Sequence, residues 1–136
     1  MDESSINLVA VLVAAIIQMI IGAVWYSPAL FGKQWMLLLG KNPEDIKSNS
    51  ASTGYAIASF ASIVTAYILA KFIGFAQAKT AVEGLQIGLW AWLGFVATST
   101  ITTNAFSNKS WKLWAINYCY FFFTFILMGV VLALWH

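Results

Sequence analysis

Residues able to do chemistry are few in this chain, so their placement decides what can be argued. There is one cysteine, Cys119, one histidine, His136, and five acids against seven lysines with no arginine. Catalysis by a nucleophile or an acid–base pair needs such groups in mutual reach. Cys119 lies between Tyr118 and Tyr120 with no acid or histidine beside it, and His136 falls at the far end of the same apolar run. No grouping of His, Cys, Asp or Glu has the spacing of a metal site or of paired carboxylates. The residue types therefore argue against an enzyme, and neither metal nor cofactor is expected. Met19, Met36 and Met128 read as packing, and a single cysteine allows no intrachain disulfide.

The elements that would position any site follow from the hydropathy. Hydrophobic residues make up 61% of the chain and charged ones 9%, against roughly 25% charged in a soluble domain. A soluble fold of this size would expose large apolar patches, which monomers rarely do. Four apolar runs, 6–26, 54–74, 84–103 and 113–135, each approach the ~20 residues needed to cross ~30 Å of hydrocarbon. Only Lys71 is charged within a run, one turn from its end, where it can snorkel to the headgroups. The fold class is thus all-α: a polytopic integral membrane protein, one transmembrane domain over 1–136, with four transmembrane helices in a bundle. Residues 29–40, which mix Lys33 and Gln34 with Phe31, Trp35 and Leu37–Leu39, suggest a short interfacial helix after the first span.

The connections set the orientation. Asn42–Pro43 begins a turn, Glu44 and Asp45 follow, and 48–53 is a polar approach to the second span. The loops at 75–83 and 104–112 are short, so the helices they join are antiparallel neighbours. The acidic start MDESS lacks the basic region of a secretory signal, so the first run reads as a retained anchor. Lys33, Lys41, Lys47, Lys109 and Lys112 follow spans one and three, against Lys71 and Lys79 on the other side. That bias puts the loops after spans one and three in the cytoplasm and both termini outside the cell membrane. The lysines are too dispersed to track a nucleic-acid backbone.

In lipid the informative residues are small or polar, because close backbone packing and interhelical hydrogen bonds drive association there. Asn7, Val11, Ala14, Gln18, Gly22 and Trp25 form a stripe at helical spacing, with Gln18 near mid-depth. A buried amide there needs a partner, so this stripe faces protein. Gln18, Gly22, Ala58, Ala61, Gly84 and Gly88 are the expected helix-packing positions. The topology also gathers Trp25, Tyr26, Ser27, Tyr55, Ser59, Thr98, Thr102, Asn104 and Asn117 into the cytoplasmic half, as a candidate ligand-binding group. The stretch WYSPALFGKQW has two readings. One is a membrane exit, with aromatic residues at the interface and Pro28 ending the helix. The other is a pocket into which Tyr26 and Ser27 donate, walled by Trp25 and Trp35. The hydroxyls of Thr98–Thr103 have a plainer reading too, as bonds to the preceding turn's carbonyls.

The string W-Y-S-P-x-L-F-G-K-x-W, preceded by Asn7 and Gly22 and followed by Gly94, Phe95, Asn117 and Tyr118, resembles a family of small bacterial membrane proteins catalogued as domain of unknown function 1761. The resemblance covers nearly the whole chain. It implies a four-helix protein of a bacterial inner membrane and carries no catalytic assignment.

Two functional classes remain close. One is an interaction or structural component, assembling as a homo-oligomer or beside a larger membrane partner within the lipid bilayer. The other is a channel or transporter for a small uncharged solute, without the intramembrane carboxylate or histidine that proton coupling normally uses.

Overall fold

The computed structural model describes residues 6–40 and 49–135. The Met1–Ser5 start, the Asn42–Pro43 turn with Glu44 and Asp45, Lys41, Lys47 and His136 lie outside the described residues. The elements are α1 (Leu8–Trp25), α2 (Gly32–Leu39), α3 (Asn49–Ala76), α4 (Ala81–Ala91), a π-helical segment (Trp92–Ala97), α5 (Thr98–Ser107) and α6 (Trp111–Leu134). Among the described residues there is no strand. Four stretches are long and apolar enough to cross a membrane: Leu8–Trp25, Ser52–Ala76, Ala81–Ser107 and Trp111–Leu134, with mean hydropathies of 2.6, 1.8, 1.2 and 2.0.

Local chemistry sets the boundaries. The Asn7 carbonyl oxygen Oδ1 accepts from the Val9 and Ala10 amides at 3.0 and 3.2 Å and so starts α1. α3 begins at Asn49, upstream of the apolar run, because 49–53 contains no glycine or proline to interrupt a helix. The expected loop at 75–83 shrinks to a tight turn. Gln77 takes a left-handed conformation (φ 56°), and the Ala78 amide donates to the Ile73 carbonyl at 3.1 Å, closing α3. Thr80 and Glu83 then form a reciprocal capping box that begins α4. The next turn is equally short: Asn108 is left-handed and the Ser110 hydroxyl caps α6 at the Leu113 amide.

Helix α6 has contacts with α1, α3 and α4, and α3 also packs along α1. The core they share is rich in small side chains, with Ala10, Ala14, Ala15, Ala66 and Ala133 around Met128, Leu69 and Leu132. Such a core brings backbones close, the arrangement lipid-embedded helices use. It is closest where α4 crosses α6. A Cβ at Gly84 would strike the Gly129 carbonyl, one at Gly88 the Phe125 carbonyl, and one at Gly129 the Gly84 carbonyl. These glycines make their contact inside the chain. Ala58 and Ala61 are exposed on α3, and Gly54 has open space around it.

The third apolar run contains the π-helical segment, an irregularity with no counterpart in the hydropathy. Unbroken α-helical spacing from Gly84 and Gly88 would carry Phe95 and Ser99 towards α6. The wider turn shifts the register by about one residue. Ala97 is buried and Thr100 partly so, whereas Phe95 is 70% exposed and Ser99 exposed.

Candidate functional site

At its C-terminal end α1 runs antiparallel to the start of α6, and the WYSP stretch meets α6 there. The Tyr26 amide donates to Gly22 and the Ser27 amide to Val24, ending the helix, while the Ser27 hydroxyl donates to the Val24 carbonyl at 2.7 Å. Pro28 lies in the turn that follows, where its missing N–H breaks no helical bond. The Ser27 carbonyl accepts from both Leu30 and Gly32, and a Cβ on Gly32 would run into the Tyr26 and Ser27 carbonyls. The chain therefore turns back sharply enough to lay α2 beside the α1 terminus.

One turn of α6 collects the side chains this geometry delivers. The Trp25 indole N–H donates to the Ile116 carbonyl at 2.8 Å, and the Trp92 indole N–H donates to the Tyr118 carbonyl at 2.8 Å. Between them the Asn117 oxygen Oδ1 accepts from the Tyr26 hydroxyl at 2.9 Å and the Trp35 indole at 3.0 Å. One turn deeper, the Tyr120 hydroxyl donates to the Gln18 carbonyl at 2.9 Å, reaching it over Gly22, where a Cβ would approach that hydroxyl to 3.0 Å. The rings pack as the bonds do, with centroids 5.4 Å apart for Tyr26–Trp35, 5.7 Å for Tyr26–Tyr120 and 4.6 Å for Trp25–Phe31. Three indoles and a phenol, arriving from α1, its exit turn, α2 and the π-helical segment, thus converge on Ile116–Tyr118.

Of the residues picked out by sequence, this cluster joins Trp25, Tyr26, Trp35 and Asn117, with Gly22 and Gln18 just below. The others are held elsewhere. Tyr55 is 73% exposed, and the Ser59 hydroxyl donates to the Tyr55 carbonyl at 2.8 Å. Thr98 and Thr102 donate to the Gly94 and Thr98 carbonyls at 2.8 and 2.9 Å, and the Asn104 amide donates to the Lys109 carbonyl at 3.2 Å. Ser99, Thr100 and Thr103 likewise bond carbonyls of the preceding turn, and the Thr100 oxygen also accepts from the Trp114 indole at 2.9 Å. Ser27 donates to its own helix end rather than into a pocket.

Sequence reasoning did not single out Trp92, Tyr120 or the two backbone acceptors. A signal existed for Trp92: it continues the face of Gly84 and Gly88, and an indole N–H surrounded by hydrocarbon needs an acceptor. Chemically the cluster holds rather than reacts. An amide oxygen has two lone pairs, and both of those on Asn117 are matched by donors. Among the described residues, no three His, Cys, Asp or Glu side chains come together as a metal site would require.

Gln18 is the exception. Its neighbours in kind are satisfied: buried Ser62 donates to the Ala58 carbonyl and buried Thr124 to the Phe121 carbonyl. The Gln18 side-chain oxygen is buried without a partner. An unpaired buried carbonyl costs about 1–3 kcal/mol. Gln18→Met, similar in shape, should therefore raise the midpoint of unfolding. A lowered midpoint would show instead that a bound water or ligand satisfies the amide.

An all-α chain with four helices long and apolar enough to cross a membrane, tied at one end by tryptophan and tyrosine donors, defines the class: a multi-pass membrane-type protein. More particularly, residues 9–133 match the model of the family described as "Protein of unknown function (DUF1761)", and the chain belongs to that family. No curated protein and no solved structure matches it.

Proposed function

We propose that the chain is a multi-pass integral membrane protein with a structural role: a four-helix bundle that assembles with itself or with a larger membrane partner. The observation that carries this reading is the state of the polar groups. At the aromatic end the three indoles, the Tyr26 and Tyr120 hydroxyls and the Asn117 oxygen are matched to one another or to backbone carbonyls, which favours a rigid, inert unit over a path for a solute. The outer surface supports the same view. Gly54, Ala58 and Ala61 present small residues on α3, flanked by exposed Tyr55, Ile57 and Phe60, a face suited to close helix contact. In this reading α2 lies in the cytoplasmic interface and both termini lie outside, an orientation that reporter fusions at the C-terminus would test.

Native mass spectrometry of the gently extracted protein tests the assembly. The expected result is a defined oligomer or a stoichiometric partner, reduced to the single chain by Ala61→Leu with helix content unchanged. A monomer retaining a small non-lipid molecule, lost on Asn117→Leu, would overturn the structural reading in favour of a solute site.

A further inference from the structure

A cavity of about 450 Å³ opens at the end of the molecule opposite the tryptophan cluster. It lies where α1 begins and where α3 and α6 end, the level at which these helices would leave the hydrocarbon. Its deeper wall is apolar, with Ala10, Ile73 and Leu132, and its rim carries Asn7, Gln77 and Lys79. The rim is rich in donors. Asn7 has its oxygen committed to capping α1, which leaves the NH2 group. Lys79 brings the positive charge. The neighbouring acid, Glu83, has its Oε1 engaged by the Lys79 and Thr80 amides and the Thr80 hydroxyl.

Gln77 adds a second line of argument. It occupies the left-handed position that closes α3, where glycine fits without strain and most other residues do not. Glycine there would ease the backbone but remove an amide from the cavity lining. Close by, a second groove of about 360 Å³ runs between α1 and α3, walled by Leu8, Leu12, Ile63, Val64 and Tyr67. The Lys71 ammonium stands 5.5 Å from the centroid of the Tyr67 ring.

We propose that this end of the molecule binds one phospholipid with an anionic headgroup. The phosphate lies against Asn7, Gln77 and Lys79, and an acyl chain lies along the apolar seam between α1 and α3. The inference rests on the membrane-spanning reading above. Three features select this occupant: a donor-rich rim in which Lys79 is the one charged lining residue, its position at headgroup level, and an apolar groove on the helix pair beneath it.

The test uses the full chain in mild detergent, offered equal amounts of phosphatidylglycerol and phosphatidylcholine and examined by native mass spectrometry. The expected result is one phosphatidylglycerol retained in preference. Lys79→Gln should cut that preference about fivefold, the size of one lysine's attraction to an anionic membrane surface. Gln77→Gly should weaken retention while leaving the fold as stable or more so, which separates binding from folding. Lys109→Gln, at the other end, should leave retention unchanged. Equal retention of the two lipids would overturn the proposal, as would wild-type retention in both rim variants. Displacement of the lipid by millimolar inorganic phosphate would also overturn it, by showing a site for a free anion. Release of the chain from membranes by alkaline carbonate would count against the membrane-spanning reading instead, a result distinct from any comparison of lipids.

Discussion

Gly84→Leu is expected to destabilise the chain by about 3 kcal/mol or more, measured by titrating the protein from mild detergent into sodium dodecyl sulfate and following tryptophan fluorescence. Overpacking ordinarily costs about 1–3 kcal/mol because neighbours can partly adjust. Here the first obstacle is backbone. The new Cβ would strike the Gly129 carbonyl and come within 2.7 Å of the Ala133 Cβ, so α4 and α6 must move apart as whole helices. Separation then forfeits van der Waals contact along the crossing, and in lipid that contact is a main source of helix association. Gly88→Leu, facing the Phe125 carbonyl, should behave in the same way. Gly54→Ala, in open space within α3, should leave the chain as stable or up to about 1 kcal/mol more stable, through helix propensity alone. Because the crossing lies within one chain, the loss in Gly84→Leu should not depend on protein concentration. A concentration-dependent loss would mean that these glycines also serve contacts between copies, and a wild-type midpoint would remove the close crossing altogether.

How much of this was legible beforehand depended on whether depth or rotation was at stake. Hydrocarbon thickness fixes how long an apolar run must be, so the four stretches long and apolar enough to cross a membrane could be read from hydropathy. Alternating direction then gives depth: Trp25, Tyr26 and Asn117 had to lie near the same end, and they meet. Depth does not give rotation about the helix axis. Tyr55, Ser59, Thr98 and Thr102 share that end in the topology yet face outward or bond their own helices. For the hydroxyls the reason is local, since a carbonyl one turn back is always within reach and asks nothing of the rest of the fold. The π-helical segment was invisible for another reason. No proline or charge marks it, and it exists because α6 offers acceptors and packing that an unbroken helix would meet with Phe95 and Ser99. The Thr80–Glu83 box had a sequence signal, Thr followed three residues later by Glu, which the expected loop at 75–83 passed over, and it explains why the turn before α4 is so short.

The rotation that could not be read is what makes Asn117 the residue to remove. In Asn117→Leu the Tyr26 hydroxyl and the Trp35 indole both lose their acceptor in a partly buried setting. Leaving a buried donor unpaired costs about 1–3 kcal/mol, so the combined loss should be about 2–4 kcal/mol. Tyr26→Phe removes one donor together with its need for an acceptor, and should cost only about 1 kcal/mol. The larger effect should be local. Helix α2 has only eight residues, too few to be stable alone, and Trp35 joins it to α6 through Asn117. In the leucine variant, amide hydrogen exchange across Gly32–Leu39 should therefore accelerate strongly, while the paired backbone of α1 and α6 remains slow. Tyr26→Phe should leave α2 protected, because Trp35 keeps its acceptor. If α2 stays protected without Asn117, its apolar side chains hold it and the shared carbonyl oxygen is incidental. If α2 is released while the long helices remain packed, the WYSP turn and Asn117 form a latch that fixes α2 to a core whose stability does not require it.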